Sequence, residues 1–224
     1  MDIKILKVGI DNCYIIKQKN TILVDGGMPG EFNKFSKGLK DNGINPKEIK
    51  AIVITHCHWD HIGCAKKIKE LTGAKVVVQK NEKNILIKGE PTMPPGVTRW
   101  GKIFGVFVKS LSKKFSIEPC EVDIVIGEED YSLDEFGIKG KIVFTPGHSP
   151  GSISVVLDSG DTFVGDMAMN GLPLTIGPNL PIFAEDMTIL KNSWRKLINK
   201  GVKKIYPAHG KPFHVDKLIK KVVL

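Results

Sequence analysis

Apolar and polar positions alternate along much of this chain, and the period of alternation changes from segment to segment. Residues Ile3–Val8, Asn12–Lys17 and Thr21–Val24 carry the short alternating runs of strands, and Gln18-Lys19-Asn20 provides a hairpin turn between the last two. Phe32, Phe35 and Leu39 then recur at helical spacing with lysines on the opposite side, and Asn42-Gly43 ends that helix. Ala51-Ile52-Val53-Ile54 is a continuous apolar run, the mark of a strand buried on both faces. An amphipathic helix is expected over 64–72, stopped by Gly73, and a strand over Lys75–Gln79.

Glu90-Pro91-Thr92-Met93-Pro94-Pro95-Gly96 breaks the pattern as a stiff, irregular connection. Trp100, Phe104, Phe107 and Leu111 come next at helical spacing, with Lys102, Lys109 and Lys113 among them. That stripe reads either as a core-facing helix or as the wall of a pocket; a helix lying on a membrane surface is a third option. Strand character returns over Asp123–Ile126 and Ile138–Phe144. Ser152–Leu157 and Asp161–Val164 form an expected hairpin around Asp158-Ser159-Gly160, and Lys203–Tyr206 is a last strand. Strands and helices in alternation without an internal repeat predict an α/β architecture.

Composition narrows the picture only a little. The 224 residues suffice for one domain with a substantial core. The N-terminus lacks a basic segment followed by an apolar core, and no apolar run is long enough to span a bilayer. Cys13, Cys57, Cys64 and Cys120 show no C-x-x-C spacing, so a reducing cytoplasm is the expected home. The net charge of +9 raises nucleic acid as a partner, but Arg99 and Arg195 are the only arginines and the lysines are scattered. A nucleic-acid groove with arginine clusters and interleaved aromatics is not expected.

The chemistry is concentrated after the run 51–54. Thr55-His56-Cys57-His58-Trp59-Asp60-His61 packs three of the six histidines and a carboxylate into one strand-to-helix loop. Such crowding of imidazole and carboxylate is costly unless a ligand compensates it, and these donors suit zinc and similar divalent cations. His58 lies two residues from His56, which sets both on one side of an extended segment.

The pattern H-x-H-x-D-H after a buried strand resembles the signature of the metallo-β-lactamase-fold hydrolases, in particular the zinc-dependent, glyoxalase II-like branch. Pro146-Gly147-His148-Ser149 resembles that family's second histidine segment, Gly165-Asp166 its bridging aspartate, and Pro207-Ala208-His209-Gly210 its last histidine segment with alanine in place of a glycine. The similarity runs over about residues 12–212. It implies a four-layer αββα sandwich, with residues 1–224 as a single domain and 88–120 as a lid insertion. It also implies that His56, His58 and His148 hold one metal ion. Asp60, His61 and His209 hold a second, and Asp166 bridges the two. Asp25, at a strand end before two glycines, would support this loop from behind.

The resemblance implies a metal-dependent hydrolase that directs a metal-activated water at an ester, thioester or lactone carbonyl of a small-molecule substrate, with Asp60 also carrying a proton to the leaving group. Two Zn2+ ions are the expected cofactors, with Fe or Mn as alternatives. A mononuclear iron oxidoreductase acting on persulfides and a nucleic-acid phosphodiesterase remain as other readings. Some branches resemble the chain less well. The flavodiiron proteins have a glutamate where His58 stands, the β-lactamases proper lack the aspartate at 166, and the lactonases carry a tyrosine that Met167-Ala168-Met169-Asn170 does not offer. Glyoxalase II itself adds a helical domain that the fifteen residues after His209 would not accommodate. Met167, Met169 and Leu172 are candidates for an apolar pocket, and His214 reads as a surface residue. The sequence leaves the oligomeric state open, a homodimer being one option.

Overall fold

A computed structural model describes residues 1–112 and 116–223 of the chain. Its first sheet begins with β1 (Asp2–Val8), β2 (Asp11–Lys17) and β3 (Thr21–Val24), an antiparallel meander in which Lys17 faces Thr21 across the expected hairpin. Helix α1 (Phe32–Asp41) leads to β4 (Ile49–Val53), and α2 (Trp59–Ile62) with α3 (Ala65–Thr72) leads to β5 (Lys75–Gln79). Helices α4 (Lys83–Lys88) and α5 (Arg99–Ser112) precede β6 (Ile124–Ile126). The strand order is sequential, β1 to β6, and β3 to β6 run parallel, as helical crossovers require.

The second sheet contains β7 (Tyr131–Ser132), β8 (Gly140–Phe144), β9 (Ile153–Leu157), β10 (Asp161–Asn170) and β11 (Pro178–Asn179). After α6 (Met187–Asn199) come β12 (Lys204–Gly210), β13 (Phe213–His214) and α7 (Asp216–Val223). The order is β13-β12-β10-β9-β8-β7, with β11 beside β10. The hairpin expected around 158–160 is present, with Thr162 opposite Val156.

Three apolar layers hold the four structural layers together. Ile52 and Ile54 face α1 and α3 along with Phe35 and Ile68, whereas Ala51 and Val53 on the same run face the second sheet. The run 51–54 is thus buried on both faces, as its lack of alternation predicts. Between the sheets lie Tyr14, Ile16, Ile142, Val155 and Phe163, and behind the second sheet Leu190, Trp194 and Leu197 of α6 pack on Val164 and Ile205. Each such fully buried side chain contributes about 1.5–3 kcal/mol relative to exposure. Helix α6 starts where Asp186 accepts hydrogen bonds from the Thr188 and Ile189 amides, at 2.7 and 2.9 Å. The result is the expected αββα sandwich.

Several boundaries differ from the sequence expectation. The helix expected over 64–72 is present as α3, and a short helix not expected from the sequence, α2, precedes it and places Asp60 and His61 on a single helical turn. Strand β10 continues past Val164 to Asn170, and β12 continues past Tyr206 to Gly210. Helix α4 was not expected. The predicted aromatic helix is α5; residues 113–115 of that segment lie outside the described residues. Among the described residues no helix is long and apolar enough to cross a membrane.

Candidate metal centre

The chain turns after β4 and β8 meet the middle of β10 and the end of β12 at one place. His56, His58, Asp60 and His61 come from the first turn, His148 from the second, Asp166 from β10 and His209 from β12. All seven side chains are buried, with relative exposures from 0% to 8%. Their donor atoms form overlapping groups, each within 4.8 Å: His56, His58 and His148; His56, His61 and Asp166; and Asp60, His61 and His209 together with Asp11. All the sequence-predicted ligands are therefore brought together.

Asp166 stands between the groups. Its carboxylate oxygens are 3.5 Å from His61 Nε2, 3.6 Å from His148 Nε2 and 3.3 Å from His209 Nε2, and His209 Nε2 is 3.5 Å from Asp60. The backbone makes room for this at Gly165, whose φ of +53° lies in the left-handed region and where a Cβ would strike the Thr55 side chain.

Behind the cluster, the other ring nitrogens are held by the protein. His148 Nδ1 donates to the Phe183 carbonyl at 2.9 Å, which fixes the tautomer and leaves the Nε2 lone pair facing inward. His61 Nδ1 meets the Asp25 carboxylate at 3.0 Å and His209 Nδ1 meets Asp11 at 3.1 Å. The Thr55 hydroxyl donates to Asp25 at 2.9 Å, so its lone pair is available to His56 Nδ1 at 3.1 Å. His58 is the exception: its Nδ1 approaches His148 Nε2 at 2.9 Å, so Nδ1 is the nitrogen turned to the cluster.

Asp25 thus occupies the supporting place expected from the sequence. It also accepts from the Thr55 amide at 2.8 Å and holds a φ of +65°, a conformation aspartate tolerates better than most residues. Two supporting carboxylates were not foreseen. Asp11 sits in β2, fully buried, and gave no signal beyond being an acidic residue at the start of a strand. Glu82, just before α4, accepts from the Cys57 amide at 2.9 Å, the Ser149 hydroxyl at 2.6 Å and the Gly151 amide at 3.0 Å. It ties the first histidine turn to the second.

The electrostatics divide the histidines. Burial, reinforced by neighbouring imidazoles, pushes His56 and His58 well below the usual range, and burial also lowers His148 against the pull of Asp166. The shift favours the neutral form of all three, the form in which imidazole binds a cation. Burial opposes protonation of His61 and His209 as well, but Asp25 and Asp166 raise the first and Asp166 and Asp11 the second. Burial would raise Asp166, and His209 with His61 overcome it and hold the carboxyl well below its usual value.

The donor set fits divalent cations. Nε2 of His56 and of His61 and Oδ1 of Asp166 are buried and have no hydrogen-bond partner among the described residues. Each such atom costs about 1–3 kcal/mol if left unsatisfied, a cost that ligation would remove. Met169 and Leu172 line a cavity beside the cluster, but Met167 does not; it packs behind the second sheet, where its carbonyl accepts from Trp194. Regular strand alternation would set both on one face, and the register irregularity between Gly165 and Met169 in β10 breaks that alternation. His214 is exposed and pairs with Asp216.

The family model of the metallo-beta-lactamase superfamily matches residues 6–209. A probable metallo-hydrolase of Methanocaldococcus jannaschii is 29% identical over 208 residues, covering 89% of this chain and 87% of that protein. The hydroxyacylglutathione hydrolase GloC of Haemophilus influenzae is 25% identical over 176 residues, 76% of this chain and 74% of that one. Among solved structures, a metallo-beta-lactamase family protein of Thermus thermophilus superposes with a TM-score of 0.70 at 18% identity, covering 98% of this chain and 78% of that chain.

Proposed function

Because this chain belongs to the metallo-beta-lactamase superfamily, we propose that it is a dinuclear, zinc-dependent hydrolase of a small-molecule ester, thioester or lactone. The observation that carries this reading is the inward convergence of unpartnered Nε2 atoms from His56 and His61 on the Asp166 carboxylate. In this reading His56, His58 and His148 hold one cation, Asp60, His61 and His209 hold the other, and Asp166 lies between them.

A metal pair held by these residues would supply a water of lowered pKa and a Lewis acid for the scissile carbonyl. The chain's own groups do the rest. Asp25, Thr55 and the Phe183 carbonyl keep their imidazoles in one tautomer and one orientation, and the Asp11 carboxylate lies 3.1 Å behind the His209 ring. Asp60 borders the cavity, which puts its carboxylate within reach of a leaving group that needs a proton. Phe104, Phe107 and Val108 of α5 form part of the cavity wall and limit the water that reaches the centre. Residues 1–224 act as one domain in this reading, and the described part of the segment near 88–120, with Met93 and Phe104 at the cavity, serves as its lid.

The hydroxyacylglutathione hydrolases among the relatives support including a thioester among the candidate substrates of this reading. The test is metal analysis of the purified protein, then a thioester, lactone and phosphodiester panel. About two metal ions per chain and carbonyl hydrolysis that disappears on chelation are expected. Undiminished hydrolysis by metal-free protein would overturn the proposal.

A further inference from the structure

The cavity beside the cluster has a volume of about 560 Å³, in the range of sites that enclose a small organic molecule. Its inner wall is made by Met93, Phe104, Val108, Met169, Leu174 and Phe183, and its other margins by Ile10, Phe107 and Leu172. These last three are 58%, 64% and 80% exposed, so apolar surface continues outward from the cavity. Among the described residues, apart from Lys7 and the cluster's own side chains, no charged residue and no serine, threonine, asparagine or glutamine lines it.

A wall of this composition cannot read a sugar, a nucleotide or a peptide-like group. Away from Lys7 and the cluster, amides, hydroxyls and carboxylates placed against the inner wall would lose their water without gaining side-chain partners, at a cost that outweighs their contact area. Methylene groups gain with every position buried. The wall is also built rather than loose. Gly101 of α5 approaches the Ile182 backbone so closely that a Cβ would collide with it, and Phe104 stacks near Phe183 at 6.4 Å between ring centroids. The aromatic face of α5 is thereby held against the segment that also supplies the His148 acceptor at Phe183.

Resting on the hydrolase reading above, we propose that the substrate's acyl half is a hydrocarbon chain of medium length, seated in this cavity with its carbonyl at the cluster. The polar or charged part of the substrate is the leaving group, which stays outside the apolar wall.

Two series test this. The zinc-loaded protein is given acyl thioesters of N-acetylcysteamine, from acetyl to decanoyl, so that the leaving group is constant and polar. kcat/KM should rise about fourfold per methylene, equivalent to about 0.8 kcal/mol, until the cavity is filled. In parallel, the chelated protein is titrated calorimetrically with straight-chain alcohols from butanol to octanol, which carry no charge for a cation to attract. Affinity should rise by a similar factor per methylene. Val108→Trp, and independently Leu174→Trp, should reduce the octanoyl-to-acetyl ratio at least tenfold. Hydrolysis with a flat chain-length profile and a flat alcohol series would overturn the inference and leave the hydrolase reading standing. A rising alcohol series in a protein that hydrolyses nothing would defeat the hydrolase reading and support an apolar ligand in the cavity.

Discussion

Oδ1 of Asp11 lies 3.1 Å from Nδ1 of His209, on the side of the ring away from the cluster. The two residues are 198 positions apart and belong to different sheets, β2 and β12. The same Asn12-bearing stretch grips β12 a second time, since Asn12 Nδ2 donates to the Pro207 and Gly210 carbonyls at 3.0 and 2.7 Å. The last candidate ligand is thus positioned by the first hairpin of the chain.

Asp11→Asn should therefore weaken binding at one of two metal positions more than the other. A loss of about 10–100-fold in affinity for the second ion is expected, the usual effect of removing a partner behind a ligating histidine. Competition titration with a chromogenic chelator, alongside circular dichroism to confirm folding, checks it. Two equally tight sites in the variant would remove Asp11 from its positioning role.

Glu82→Ala should act on stability first. Three donors, the Cys57 and Gly151 amides and the Ser149 hydroxyl, would lose their charged acceptor in the interior. With about 1–3 kcal/mol for each unsatisfied group, a loss of at least about 3 kcal/mol is expected in urea unfolding. A midpoint equal to that of the parent would mean that water replaces the carboxylate fully.

The four cysteines are buried and free. Burial pushes the Cys64 and Cys120 thiols up to about 11, and it also raises Cys13 and Cys57 well above the usual thiol value. Because the thiolate is the nucleophile, a raised pKa means less of it at any given pH: about one thiol in a thousand at pH 8 for a pKa of 11. Native protein should resist iodoacetamide at pH 8, and mass spectrometry should find four alkylations only after unfolding. Rapid labelling of the native chain would contradict the burial described.

Phe104 and Phe107 separate packing from pocket. Phe107 is 64% exposed, so Phe107→Ala should cost no more than about 0.5 kcal/mol while lowering activity toward long acyl chains. Phe104 packs against Met169, Ile182 and Phe183, and Phe104→Ala should lower stability by about 3 kcal/mol as well as alter the chain-length profile. Thermal midpoint and acyl preference measured on the same samples distinguish these outcomes. Unchanged preference in both variants would remove α5 from the substrate's surroundings.

The sequence by itself determined the parts of this protein that depend on neighbours along the chain. A continuous apolar run at 51–54 reads as a strand covered on both faces, and the structure shows it so covered. The crowding at 56–61 is itself a chemical statement, because imidazole and carboxylate packed so densely need a compensating ligand. The segments at 148, 166 and 209 could be matched to a known pattern because each keeps its own local spacing, and the tertiary structure gathers all of them at one place. Support of the loop by Asp25 was legible in the same way.

Only the tertiary structure decided which distant groups meet. Nothing local distinguishes Asp11 from an ordinary strand-end aspartate or Glu82 from a surface glutamate, and their role exists only where β2 touches β12 and where α4 faces the 148–152 turn. Nor could periodicity separate Met167 from Met169, since the register irregularity of β10 turns one toward the α6 layer and leaves the other at the cavity. The stripe of α5 announced that an apolar surface would be covered but not by what. Hydrophobic burial has no direction of its own, and the partner of such a face is set by the packing of the whole chain.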